Sequence, residues 1–129
     1  MLFRSQEIGF ASNGLLRIKK NNKYGFLDKK LSIVIPPKYL TASDFEDSTA
    51  IVSTKKAYHV IDLKGETLME EESPIEKVAK GYYLLETQEG NLIANQKGQQ
   101  LYSGIDSYEK YGKFTIIYLG NGEIKVVKN

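Results

Sequence analysis

The chain repeats itself, and this restricts its fold more than any single motif. Moved along by 34 residues and then by 33 more, Arg17-Ile18-Lys19-Lys20 falls on Ile51-Val52-Ser53-Thr54 and then on Leu84-Leu85-Glu86-Thr87. Tyr24-Gly25-Phe26-Leu27-Asp28 falls on Tyr58-His59-Val60-Ile61-Asp62, then on Asn91-Leu92-Ile93-Ala94-Asn95. Lys30-Leu31-Ser32 falls on Lys64-Gly65-Glu66 and Lys97-Gly98-Gln99. Each block keeps one order: a β-rich run, a polar turn, a second β-rich run, then Asp or Asn before a tight turn. A fixed period in this range marks small units that share a core because none can bury its apolar face alone.

The sequence therefore predicts an all-β fold: one repeat domain over 1–129, built of three antiparallel units and a fragment, near 10–40, 41–74, 75–104 and 105–129. Strands are expected near 15–19, 23–28, 32–36, 49–54, 57–62, 82–87, 91–95, 114–119 and 123–127. Pro36-Pro37 is read as ending the third run, because neither residue donates to a ladder. Glu66 to Glu72 has a local helical flavour, but the repeat register assigns Thr67-Leu68-Met69 to a third strand of unit two. Asn121-Gly122, between Phe114-Thr115-Ile116-Ile117-Tyr118 and Ile124-Lys125-Val126-Val127, suits a primed hairpin turn. Tyr24, Phe26, Tyr58 and Val60 are the expected core lining, with Tyr24→Ala among the most damaging changes.

Composition excludes several chemistries. There is no cysteine, so no disulfide, thiolate metal site or cysteine nucleophile. The single histidine, His59, lacks an imidazole partner for a metal site or triad and reads as a surface or packing residue. Asp28, Asp62 and Asn95 recur at one position. An asparagine can accept backbone N–H groups there but cannot act as an acid or base, so the position is structural. Asp44, Asp62, Glu70, Glu71, Glu72 and Glu86 leave a carboxylate-pair hydrolase as the enzymatic alternative. No phosphate-binding glycine loop is present. No catalytic, cofactor-binding or metal-ligating residue is nominated, and no cofactor is expected.

Charge is uneven. Residues 1–40 carry eight Lys/Arg against two acids, and residues 41–129 carry ten against fourteen. Arg17, Lys19, Lys20, Lys23, Lys29 and Lys30 interleave with Tyr24 and Phe26, but amphipathic strands explain that pattern without nucleic acid. No apolar run is long enough for a membrane helix, and MLFRSQEIGF does not read as a secretion signal, so the cytoplasm is the expected compartment.

Residues 15–39 resemble the unit of WG-repeat proteins. Lys23-Tyr24-Gly25-Phe26-Leu27-Asp28-Lys29-Lys30 carries the central signature, with Tyr24 where the naming tryptophan stands. Ile35-Pro36-Pro37-Lys38-Tyr39 matches the unit's end, and Gly25 is expected to leave room for a neighbouring ring. In unit two His59 replaces the signature glycine, and units three and four keep only the strand rhythm and turns. The resemblance implies tandem antiparallel β units, in an open propeller-like arc or a stacked array, and a non-enzymatic role. The expected function is a module in a bacterial system that binds a protein or peptide or serves as a scaffold. The alternative is a polymer- or carbohydrate-binding module that stacks sugars on Tyr39, Tyr82, Tyr108 and Tyr111. Leu2 to Ile8 is read as a terminal cap and the lysines near the other end as blunting an edge, so a monomer is favoured over a dimer.

Overall fold

The computed structural model describes residues 14–129, which leaves the expected cap at Leu2 to Ile8 outside the described residues. Those residues form thirteen strands and no helix: β1 (Leu16–Lys20), β2 (Lys23–Leu27), β3 (Ile33–Tyr39), β4 (Thr41–Ala42), β5 (Ala50–Ser53), β6 (Tyr58–Ile61), β7 (Thr67–Glu71), β8 (Ile75–Ala79), β9 (Tyr82–Thr87), β10 (Gly90–Ala94), β11 (Gln100–Tyr111), β12 (Phe114–Leu119) and β13 (Ile124–Lys128). The sheet orders are β1-β2-β3, β4-β5-β6-β7 and β13-β12-β11-β10-β9-β8, and each pair with a described register is antiparallel. The chain is all-β, as the repeat requires. It divides into two compact units, 1–67 and 68–129.

The repeated acceptor builds the same turn three times. Asp28 Oδ1 accepts from the amides of Lys30 and Ser32 at 2.8 and 3.0 Å. Asp62 Oδ1 accepts from Lys64 and Glu66, both at 2.9 Å, and Asn95 Oδ1 from Lys97 and Gln99, both at 3.0 Å. The fourth residue of each turn has left-handed backbone angles: Leu31 at φ 65°, Gly65 at 85° and Gly98 at 85°. The turn glycines also carry the packing between repeats. A Cβ on Gly65 would sit 3.1 Å from Ile35 Cγ1, and one on Gly98 would sit 3.3 Å from Met69 Cγ. Ile35 and Met69 are themselves one repeat apart, so the same contact recurs.

Pro36-Pro37 does not end the third strand. β3 runs through both prolines to Tyr39, because the ladder is already interrupted there. Phe26 pairs with Ile35 and Tyr24 with Tyr39, so Gly25 alone faces three residues. The space above Gly25 is filled by backbone and not by a ring: a Cβ would lie 2.5 Å from Ile35 O and 2.6 Å from Pro37 N. In unit three Ile93 pairs with Tyr102 and Leu92 with Ser103, while Asn91 pairs with Ile105. One extra residue, Gly104, remains of that bulge.

The fourth turn differs from the primed form. Only Gly122 of the Asn121-Gly122 pair has positive φ, and the Leu119 amide donates to Glu123 O at 2.9 Å. Asn121 Oδ1 accepts from the Glu123 amide at 2.9 Å, so the side-chain acceptor moves two places from where Leu119 stands.

In the first unit Phe26 and Phe45 meet edge to face, with ring centroids 4.7 Å apart, among Ile35, Tyr39, Val52 and Ile61. Phe26 and Val60 are fully buried as expected, but Tyr24 and Tyr58 are half-buried. The Tyr24 ring is met by Arg17 and Lys19, 5.5 and 5.4 Å from its centre. Arg17 Nη1 donates to Ala42 O at 2.6 Å and its Nε lies 3.8 Å from Asp44, tying β1 to β4. In the second unit Val78, Ala79, Ile93, Ile105, Ile117 and Val127 form a buried cluster. The six-stranded sheet curls on itself, so that the buried Thr115 hydroxyl on β12 donates to Val78 O on β8 at 2.8 Å.

Candidate interaction surface

The register of β11, β12 and β13 places their residues in rows across the sheet. One face holds Tyr111-Phe114-Lys128, then Glu109-Ile116-Val126, then Ser107-Tyr118-Ile124. The other holds Lys110-Thr115-Val127 and Tyr108-Ile117-Lys125 and turns its centre into the core, burying Thr115, Ile117 and Val127. The first face is open. Val126 is 61% exposed, Ile124 58%, Tyr111 54% and Phe114 49%. Contiguous apolar side chains rimmed by charge mark a surface that gains by being covered.

Glu109 organises that face. Tyr111 donates its hydroxyl to the Glu109 carboxylate, whose charge also acts on Tyr118 of the same face. The Tyr111 phenol is raised above its ordinary pKa by this bond and the adjacent negative charge. The Tyr118 phenol is raised by desolvation first and Glu109 second. Both rings are held as neutral phenols beside one carboxylate. Tyr108, on the other face, donates to Glu76 on β8; desolvation and then Glu76 push its pKa up to about 12.

The chemistry-bearing residues read from sequence do not converge. His59 is half-buried in β6 opposite Val52. Glu70 and Glu71 lie in β7, and Glu86 in β9 faces Asn91. Asp44 lies beside Arg17, and Asp62 holds its turn. Among the described residues no three His, Cys, Asp or Glu side chains gather as a metal site would require. The Tyr24 ring is occupied by cations, and Tyr39, offered as a sugar platform, is buried in the first core. Tyr82 and Tyr108 pack against the second core, leaving Tyr111 as the exposed member of that set. A polar hollow of about 310 Å³ lies between the β9–β10 hairpin and the β11 bulge, lined by Thr87, Glu89, Asn91, Gln100 and Ser103.

Phe114, Tyr118, Ile124 and Val126 were not singled out by sequence reading. Their signal is present nonetheless: Phe114-Thr115-Ile116-Ile117-Tyr118 is apolar at both parities, and one sheet face can bury only one of them.

This arrangement defines a repeat module of small antiparallel β units. The units of its first part are similar to a known repeat: the WG containing repeat model matches residues 3–24 and 24–56, a little under half of the chain. No curated protein matches the chain. Among solved structures, the S. cerevisiae assembly of a dbp5 variant bound to nup159, a gle1 variant, IP6 and ADP is similar at 14% identity and TM-score 0.46, over 92% of this chain and 38% of that chain. The computationally designed Ika4 protein is similar at 13% identity and TM-score 0.49, over 92% of this chain and 87% of that one.

Proposed function

We propose that this repeat module is non-enzymatic and binds a protein or peptide partner on the open face of β11–β13. The observation that carries the reading is the exposed apolar stretch Tyr111, Phe114, Ile124 and Val126 on a face whose opposite side is already packed. We take a monomer as the working form, because Lys125 and Lys128 put charge on this strand and blunt its edge against a second copy. Sugar stacking is the weaker reading, since Tyr39 is buried and Tyr82 and Tyr108 face the core.

The test is affinity capture from native cells with quantitative mass spectrometry, comparing the wild-type chain with a Phe114→Glu, Val126→Glu double variant of unchanged melting temperature. One or more proteins should be enriched on the wild type and lost on the variant. Equal capture by both, together with saturable glycan binding that needs Tyr111, would replace this reading by the carbohydrate one.

A further inference from the structure

The same region of the second compact unit carries a second, directional feature: the backbone edge of β13, unpaired among the described residues. Among the described residues β13 has one neighbour, β12, and ends the sheet. At its two flanks the Asn129 amide donates to Lys113 O at 2.7 Å and the Leu119 amide to Glu123 O at 2.9 Å. Antiparallel ladders alternate, so Glu123, Lys125, Val127 and Asn129 turn their backbone groups toward β12. Ile124, Val126 and Lys128 turn theirs outward. These are also the residues whose side chains stand on the open face. Ile124 and Val126 thus offer outward backbone groups and exposed apolar side chains together, with Lys128 beside them, which is what an added strand needs.

The charge around this edge selects the occupant. Residues 109–129 carry four lysines against two glutamates, while residues 68–108 carry three lysines against seven acids. Glu109 is engaged by Tyr111, and Glu123 lies 3.5 Å from Lys125. Lys113 and Lys128 are exposed at the end of the edge. A second copy would bring more lysine, whereas an acidic strand would neutralise it.

Resting on the binding-module reading above, we infer that β13 is a strand-addition site for an extended peptide that carries, at every second position, two apolar residues and then an acidic one. The peptide pairs with the outward backbone groups of Ile124, Val126 and Lys128, sets its apolar side chains beside Ile124 and Val126, and places a carboxylate opposite Lys128.

The experiment selects binders from a displayed library of random peptides of about ten residues on the full chain, then measures labelled hits by fluorescence anisotropy. The hits are expected to carry apolar residues at two alternate positions and an acidic residue at the next alternate position. Val126→Pro removes an outward N–H without touching the β12 ladder, and should weaken them about tenfold, the scale of one lost main-chain hydrogen bond. N-methylation of alternate peptide residues should do the same with the protein unaltered. Lys128→Glu should reverse the charge preference. Hits indifferent to Val126→Pro and to N-methylation would overturn strand addition while leaving a peptide-binding module in place. Hits without acidic preference would overturn the chemistry assigned to the partner. A concentration-dependent dimer abolished by Val126→Pro would make the occupant a second copy instead. A library yielding no binder would count against the binding-module reading as well.

Discussion

Gly25 lies beneath the Ile35 carbonyl so closely that a Cβ on it would be 2.5 Å from that oxygen. The contact is with backbone on a bulge built from Pro36 and Pro37, which cannot swing aside as a flexible side chain would. Gly25→Ala should therefore destabilise by about 3 kcal/mol, at the upper end of overpacking costs. Urea denaturation would measure it; a loss below about 1 kcal/mol would mean that the bulge yields.

Leu31 stands where the two equivalent turns have Gly65 and Gly98, and it holds φ 65°. A left-handed L-residue costs roughly 1–2 kcal/mol, and glycine adds back about 0.5–1 kcal/mol of unfolded-chain entropy. Leu31 is largely exposed, so little burial is lost. Leu31→Gly should raise stability by about 0.5–1 kcal/mol. Thermal melting decides it, and a lowered midpoint would show that Leu31 makes a contact that outweighs the strain.

The most damaging truncation in the first unit shifts from Tyr24 to Phe26. Phe26 is fully buried against Phe45, so Phe26→Ala should cost about 3–5 kcal/mol. Tyr24 is half-buried under two cationic side chains, and Tyr24→Ala should cost about 1–2 kcal/mol. Equal losses in denaturant melts would return Tyr24 to the core.

Some of this was legible in the sequence because it depends on local chemistry. Asp28, Asp62 and Asn95 need only amides two and four residues ahead, so their recurrence revealed the turn directly. Gly25 misled because the residues above it come from a bulge, and register shifts are not written in either strand alone. β11 escaped for the same reason. Its inward residues Tyr102, Ile105 and Tyr108 are three apart, since irregularities near Gly104 and Asp106 each add a residue to a period of two. The short strand β8 follows Pro74 and reads as loop until Tyr83 and Leu85 provide its partner. The open face of β11–β13 depends on which strand ends the sheet, and that is a property of the whole second unit.

Tyr108 links β11 to β8 through Glu76, and its phenol is pushed up to about 12 in the folded chain, against about 10 when unfolded. The folded state therefore holds a proton that the unfolded state releases first. The stabilisation is fully present below pH 10 and is lost as pH rises through about 12. Partial exposure screens its size, so the direction is the prediction. Unfolding free energy followed from pH 9 to 12 should fall more steeply for the wild type than for Tyr108→Phe. Lysine and the other tyrosines titrate in both proteins and cancel in the comparison. Parallel curves would mean that the Tyr108–Glu76 bond contributes nothing to holding β11 against β8.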